Sequence, residues 1–157
     1  MRRLILAMAV ALSITGTATA QSKADAQLKR SAEIVFSKYL EAFNSADARA
    51  LKNLYAQQAI TLNRFGLNPS DQTEQQMQRI KAIGIKLQGK VEDVRQIDAD
   101  TVLSYGSYQA SYESPRESSE GTWMQVLKRQ GYDWKIRALA MVLMSEPADI
   151  ASGSSTN

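Results

Sequence analysis

The stretch Lys38–Gly66, KYLEAFNSADARALKNLYAQQAITLNRFG, decides the fold that this sequence predicts. In this stretch the aromatic end of one helix, a capped turn, a second short helix and a strand follow one another directly, with no long loop between them. Asp47 is predicted to cap the second helix, because its carboxylate can accept from a free N–H group of the following turn. The rest of the chain must then supply a sheet that these helices cover.

Apolar residues before the turn recur at spacings of three and four, which indicates one buried helical face. They are Leu28, Ala32, Val35, Phe36, Tyr39, Leu40 and Phe43. After the turn, the predicted buried edge of the second helix consists of Leu51, Leu54 and Tyr55. From Ala59 to Phe65, the apolar pair Ile60 and Leu62 alternates with a polar pair, as in a half-buried strand with one apolar face.

The sequence after Gly66 predicts one more helix and four strands. Asn68-Pro69 indicates a turn, and Ser70 or Asp71 is expected to cap a helix from Gln72 to about Ile83. Its predicted inner face is Met77, Ile80 and Ile83, and Gly84 ends it. The predicted strands are Ile85–Ile97, with a bulge between Val91 and Val94, then Thr101–Glu113, Ser119–Arg129 and Asp133–Met144.

The element order α-α-β-α-β-β-β-β and the opening stretch together carry a family resemblance. Lys38–Gly66 resembles, without a gap, the amino-terminal half of ketosteroid isomerase, a member of the nuclear transport factor 2-like superfamily that also includes the SnoaL-like cyclases. The similarity returns at Lys135–Leu139. It implies a cone-shaped α+β fold with three N-terminal helices on a curved, mostly antiparallel sheet, and a pocket between sheet and helices.

The resemblance also implies positions for the isomerase's catalytic groups. Tyr39 falls on the oxyanion-hole tyrosine, and Asn63 falls on the general-base aspartate. An amide cannot take a proton from carbon at neutral pH, so that base is missing. The second acid should lie between Gly121 and Gln130, where no Asp or Glu occurs. Two of three catalytic groups are absent, which disfavours ketosteroid isomerisation.

The candidate ligand-pocket residues are therefore Tyr39, Asn63, Tyr108, Trp123 and Gln125, and no catalytic residue is assigned. Trp123 and Gln125 are two residues apart on one strand, so both are expected on the face that is directed toward the pocket. Tyr108 shares a strand face with Tyr112. Each candidate also has a plain structural interpretation, since tyrosine and tryptophan on apolar faces usually pack in the core. The basic residues Lys128, Arg129, Lys135 and Arg137 form either a partner-binding patch or an ordinary solvated sheet face.

Residues 1–20 are typical of a signal peptide. Arg2 and Arg3 precede a short apolar core, Leu4–Leu12, and Ala18-Thr19-Ala20 predicts cleavage before Gln21. The expected domain then spans residues 21–146, followed by a disordered tail at 147–157. A periplasmic or secreted location, without a membrane anchor after cleavage, follows from this interpretation. The absence of cysteine excludes a disulfide and a lipoprotein attachment.

Composition narrows the function classes further. The chain has neither histidine nor cysteine, so a zinc or iron site is not expected, and no cofactor-binding motif is present. Loss of residues 1–20 would lower the Lys+Arg count from 19 to 17 against 16 acidic residues, and the net charge from +3 to +1. The basic isoelectric point therefore gives no argument for a nucleic-acid partner.

Three functions remain open from the sequence. The first is an exported module that binds a small apolar or aromatic ligand in an apolar pocket. The second is a SnoaL-like enzyme of the isomerase, cyclase or hydrolase type, which an acid reaching the pocket, such as Glu113 or Asp93, would favour. The third is a homodimer or protein-docking module that uses the open face of the sheet.

Overall fold

The computed structural model describes residues 17–64, 66–113 and 118–144. Within these ranges the chain forms three α-helices, α1 (Thr17–Asn44), α2 (Ala48–Leu54) and α3 (Thr73–Ile83), and a 3₁₀ turn at Ser70–Gln72. The strands are β1 (Tyr55–Asn63), β2 (Gly66–Pro69), β3 (Lys86–Asp98), β4 (Thr101–Ser111), β5 (Ser118–Gln130) and β6 (Asp133–Leu143).

All six strands belong to one sheet in the order β2-β1-β6-β5-β4-β3. The β1–β6 pair is parallel, and the other pairs are antiparallel. The α+β class and the mostly antiparallel sheet expected from the sequence are confirmed. The face of the sheet that packs against the helices is called the inner face below, and the opposite face the outer face.

The predicted apolar face of α1 is confirmed. Ala32, Val35, Phe36, Tyr39 and Phe43 are buried, and Leu28 and Leu40 pack against the core half-buried. Asp47 caps α2 as expected, because its Oδ1 accepts from the backbone N–H of Ala50 at 2.8 Å. Local periodicity and capping chemistry therefore fix this part of the fold.

The side-chain directions of β1 differ from the prediction. Tyr55 is the first residue of β1 and not part of α2, and the pairing of β1 with β6 shifts register between Tyr55 and Ile60. Ile60 and Leu62 are consequently 44% and 47% exposed on the outer face, whereas Thr61 is buried. A bulge inverts the alternation, since one inserted residue turns every later side chain to the other face.

An arginine holds that irregular segment. Gln58 has a positive φ of 56°, in the left-handed region. The Arg137 guanidinium on β6 donates to the backbone carbonyl of Gln57 at 3.4 Å and to that of Gln58. These bonds satisfy backbone carbonyls of β1 at the point where its pairing with β6 is interrupted. The strained turn is thus tied to a neighbouring strand.

The region after β1 forms a strand where only a turn was predicted. β2 pairs with β1 from Ile60↔Pro69 to Asn63↔Gly66, and the Thr61 hydroxyl donates to the Asn68 carbonyl at 3.2 Å. Pro69 is compatible with this strand because it lies at its last position, on the sheet edge. The element order therefore contains one strand more than expected.

The predicted cap of α3 is wrong, and the predicted end is right. Neither Ser70 nor Asp71 caps the helix, because both lie in the 3₁₀ turn that precedes it. Gly84 ends α3 with a φ of 69°, and its N–H donates to Ile80 and Lys81 carbonyls. Ile83 was expected on the inner face but is 36% exposed.

The edge strand β3 is attached to the end of α1 through the Asn44 side chain and through Lys86, whose Nζ donates to the Asn44 carbonyl at 2.6 Å. The Asn44 amide donates to the Leu87 carbonyl at 2.8 Å, and its Oδ1 accepts from the Leu87 N–H at 2.7 Å. These two bonds cover backbone groups that an edge strand would otherwise expose. The bulge expected in this strand is confirmed by a register shift between Val91 and Asp93.

Three predictions concern residues outside the described ranges: most of the signal peptide, the turn at 114–117 and the tail at 147–157. α1 begins at Thr17, so the expected cleavage before Gln21 falls in its first turns. None of the helices in the described part of the chain is long and apolar enough to cross a membrane.

Candidate functional site

A cavity lies at one end of the inner face, where α1 and α3 approach the sheet. It encloses about 40 Å³, room for a few water molecules, and continues into an open mouth. Its lining is mostly aromatic and aliphatic: Tyr39, Phe43, Asn63, Arg64, Ile80, Ile85, Leu87, Tyr108, Ala110, Tyr112, Met141 and Leu143. Three of the five predicted pocket residues, Tyr39, Asn63 and Tyr108, lie in this lining.

Tyr39 projects from α1 into the cavity wall. Its hydroxyl donates to the thioether sulfur of Met141 at 3.6 Å, and its ring lies 5.9 Å from that of Phe43. Burial raises the pKa of Tyr39 well above its ordinary value, and the hydroxyls of Tyr55 and Tyr108 raise it further. The group is therefore a neutral hydrogen-bond donor at physiological pH.

Tyr108 owes its position to a glycine on the next strand. Gly121 pairs with Tyr108 across β4 and β5, and a Cβ atom built at Gly121 would lie 2.5 Å from the tyrosine ring. The missing side chain gives the ring room to lie over the sheet. Tyr112 faces the same cavity, whereas Tyr105 faces outward, as the alternation along this strand predicts.

The mouth of the cavity contains a charged residue that the sequence analysis missed. Arg64 follows Asn63 at the end of β1, and its Nη1 donates to the Tyr112 hydroxyl at 2.7 Å. The guanidinium carbon also lies 5.3 Å from the centre of the Tyr112 ring. The sequence offered one signal that Arg64 lies near the cavity, which is its position next to Asn63. Its contact with Tyr112 could not be predicted, because Tyr112 is distant along the chain.

Trp123 and Gln125 face inward as predicted but do not line the cavity. Trp123 stacks on Phe36 with ring centres 3.9 Å apart, and its indole N–H donates to the carbonyls of Lys90 and Ser107 at 3.2 Å. The indole N–H, the one polar group of this side chain, is therefore hydrogen-bonded within the core. The expectation that Trp123 belongs to the pocket is corrected, because α1 covers this part of the sheet.

Gln125 and Ser104 form a buried polar pair in the same covered region. They are direct cross-strand neighbours on β5 and β4 and are 1% and 0% exposed. Within the part of the chain that the structure describes, neither the Gln125 amide nor the Ser104 hydroxyl has a hydrogen-bond partner. The prediction that Gln125 faces inward is correct, but it lies in the core and not at the cavity.

The two acids that would favour an enzyme lie elsewhere. Asp93 accepts from the Tyr105 hydroxyl at 3.1 Å on the outer face, and bonds to Val94, Tyr105 and Arg95 lower its pKa. Glu113 is exposed and lies beside Gly84, outside the cavity lining. Among the described residues, no group of three or more acidic side chains could hold a metal ion.

The predicted basic patch is engaged by its own chain. Lys128 donates to Thr101 Oγ1 at 2.8 Å, and Lys135 donates to the Asn53 carbonyl at 2.7 Å. Arg129 lies over the Trp134 ring at 4.8 Å, and Arg137 binds the bulge of β1. These contacts favour the structural interpretation of the four cations.

The fold is shared with known structures at low sequence identity. A ketosteroid isomerase-like protein from Erwinia carotovora atroseptica is 14% identical over 75% of this chain and 97% of its own, with a TM-score of 0.62. An NTF-2 like protein of unknown function from Shewanella oneidensis is 14% identical over 71% and 96%, with a TM-score of 0.60.

An uncharacterized protein with a cystatin-like fold from Caulobacter vibrioides is 13% identical over 76% of this chain and 91% of its own, with a TM-score of 0.67. No protein-family model matches the chain, and no curated protein matches it in sequence. The resemblance to nuclear transport factor 2-like and ketosteroid isomerase-like proteins is thereby confirmed at the level of the fold. At these identities the likeness shows the fold alone.

Proposed function

We propose that this protein is an exported module that binds a small apolar or aromatic ligand in a cone-shaped pocket, and that it is not a functional ketosteroid isomerase. The observation that supports this proposal is the cavity lining, which among the described residues combines tyrosine and aliphatic side chains and contains no Asp or Glu. Such a lining stabilises a ligand by burial of apolar surface and orients it by a few polar groups.

Tyr39 supplies the polar contact at the inner end of this pocket. Within the described residues, its hydroxyl donates a hydrogen bond only to a thioether sulfur, which is a weak acceptor. A ligand oxygen is a stronger acceptor and would replace that contact with a better hydrogen bond. Asn63 in the lining cannot act as a general base, and for this reason binding is favoured over isomerisation.

Phenol is a suitable first probe, because its hydroxyl can enter the small enclosed part while its ring lies in the open mouth. Titration into nitrogen-labelled protein should shift backbone amide signals around Tyr39, Tyr108 and Ala110. Ala110→Leu should weaken binding about tenfold or more by filling the cavity, whereas the same change at exposed Ala26 should leave it unchanged. If phenol shifts the same amide signals equally in Ala110→Leu and in wild type, and the variant has the circular dichroism spectrum of wild type, the ligand binds elsewhere. That result would contradict the proposal.

Export is part of the proposal and rests on residues 1–20 alone. The short apolar core and Ala18-Thr19-Ala20 support cleavage before Gln21. The intact mass of protein recovered from the periplasm or medium tests this. A mass that retains residues 1–20 would contradict both the cleavage site and the location.

The outer face of the sheet favours a second role, homodimer formation. Leu62, Ala140 and Met124 lie side by side on β1, β6 and β5. Leu62, Met124 and the nearby Val142 are 47%, 48% and 56% exposed. A row of exposed apolar side chains on a regular sheet is well suited to a flat, self-complementary interface.

A further inference from the structure

We propose that Gln125 and Ser104 together bind one water molecule inside the protein, as a permanent part of its core. The pair lies on the inner face of the sheet and outside the lining of the cavity. This internal site is separate from the cavity, and its existence does not depend on the proposed ligand-binding function.

The burial of polar atoms without a partner is the first argument. Gln125 is 1% exposed, and Ser104 is fully buried. In the described part of the chain, the Oε1 and Nε2 atoms of Gln125 and the Oγ atom of Ser104 form no hydrogen bond. An amide can donate two hydrogen bonds and accept others, and a hydroxyl can donate one. Because burial removes these groups from bulk water, nearly all such groups in folded proteins have a partner.

The second argument is that the other buried polar side chains do have partners. Within the described ranges, Thr61 and Thr73 are the remaining buried polar residues. The Thr61 hydroxyl donates to the Asn68 carbonyl at 3.2 Å, and the Thr73 hydroxyl donates to the Ser70 carbonyl at 2.7 Å. The unmet hydrogen bonds of the described core are therefore concentrated at one place, the Gln125–Ser104 pair.

The apolar surroundings of the pair are the third argument. Across the sheet, Ser104 is flanked by Val94 on β3, and Gln125 is flanked by Leu139 on β6. Along the two strands, the next residues on this face are Val102, Gly106, Trp123 and Leu127. The Trp123 indole N–H already donates to two backbone carbonyls. None of these neighbours, all of which the structure describes, can supply the missing bonds from its side chain.

The spacing of the two side chains identifies the kind of molecule that fits. Ser104 and Gln125 are directly opposite each other on β4 and β5, and such antiparallel partners have Cβ atoms about 4.5–5.5 Å apart. One water molecule can contact both side chains at ordinary hydrogen-bond lengths. Water donates and accepts, as both of these groups do, and it brings no net charge into an apolar core.

Water–protein nuclear Overhauser spectra of nitrogen-labelled protein test the site directly. The side-chain amide protons of Gln125 should show a cross-peak at the water frequency, with the sign that a long-lived, bound water gives. Gln130, an exposed glutamine on the same strand, is the control. Its side-chain amide should show only the sign that mobile surface water gives.

Oxygen-17 relaxation dispersion provides a second measurement, because it counts long-lived waters without interference from exchanging hydroxyl protons. Gln125→Leu/Ser104→Ala should contain one such water fewer than wild type. Thr61→Val should contain the same number as wild type, since the Thr61 hydroxyl bonds to a backbone carbonyl. Water in the cavity should contribute equally to all three proteins, because none of the substituted residues lines it.

Three results would overturn the inference. Absence of the Gln125 cross-peak in wild type would do so whether or not the variants fold. A cross-peak from the Gln125 amide to the Ser104 hydroxyl proton in place of water would show that the two side chains bond directly. A water cross-peak with an unchanged water count in a folded double variant would trace the peak to exchanging hydroxyl protons of Ser104.

Discussion

The hydroxyl of Tyr39 donates to the thioether sulfur of Met141 at 3.6 Å, which joins α1 to the central part of the sheet. A strong donor is thereby directed at a weak acceptor inside the protein. The pairing keeps the hydroxyl oriented while making it easy to replace by a ligand oxygen. The relationship connects the fold, which places these residues together, to the proposed binding site.

Tyr39→Phe should change the free energy of unfolding by less than about 1 kcal/mol. The lost bond is weak, and the sulfur that remains has little need of a donor. Urea unfolding of the variant beside wild type measures the difference, with exposed Tyr132→Phe as a control that should show no change. A loss above about 2 kcal/mol would reveal a stronger partner of the hydroxyl.

Stability should fall when the pH rises above 10. Burial raises the pKa of both Tyr39 and Tyr55 in the folded state, whereas the unfolded chain ionises near the ordinary value of 10.0. The stabilisation is therefore complete below pH 10 and declines above it, because deprotonation favours the unfolded state.

Urea midpoints of wild type and Tyr39→Phe across this alkaline range provide the measurement. The variant has one buried tyrosine fewer, so its midpoint should fall less steeply with pH. Parallel curves for the two proteins would show that Tyr39 ionises normally in the folded state.

Leu51→Ala should destabilise the protein by roughly 2–5 kcal/mol, since Leu51 is 1% exposed beneath the sheet. Leu54→Ala should cost less, because Leu54 is only half-buried. Lys52→Ala, on the exposed side of α2, should stay within about 0.5 kcal/mol. Equal effects of Leu51→Ala and Lys52→Ala in a urea titration would contradict the packing of this helix.

Leu62→Glu should convert a dimer into a monomer. Sedimentation at tens of micromolar should show wild type as a dimer, if the outer face forms the interface, and the variant as a monomer, since a charge there would be buried without a partner. Ile97→Glu is the control, because Ile97 is exposed on the edge strand β3 and away from that row. A monomeric wild type would contradict the homodimer.

Asn63→Asp should introduce proton abstraction that the wild type lacks. A carboxylate at this position would face the same cavity as Tyr39, and a positioned base is worth roughly 10²–10⁴ in rate. The measurement is solvent-deuterium exchange at the α-carbon of a β,γ-unsaturated ketone. Exchange should appear in Asn63→Asp and disappear in Asn63→Asp/Tyr39→Phe.

Two results would contradict the reasoning behind that prediction. A folded Asn63→Asp variant without exchange would mean that the substrate does not reach this side chain. Exchange by the wild type would mean that a base other than Asn63 is present, and the exclusion of isomerase chemistry would then be wrong.

Elements whose signals are local could be predicted from the residues alone. The three- and four-residue spacing from Leu28 to Phe43 fixed the buried face of α1, because a helix repeats its directions regardless of its neighbours. Asp47 fixed the start of α2, and Gly84 fixed the end of α3, each through one turn of backbone. These local rules also gave the antiparallel hairpins and thereby the α+β class.

Which side chains contact one another depends on how the elements pack, and the residue pattern alone did not predict it. The register shift in β1 turned Ile60 and Leu62 outward, and no pattern within the strand itself marks that inversion. Helix α1 covers Trp123 and Gln125, so two inward-facing residues became core. Arg64 joined the cavity because the fold brings it to Tyr112, a contact across 48 positions of the chain. Such contacts depend on how elements pack, which residue spacing along one element does not encode.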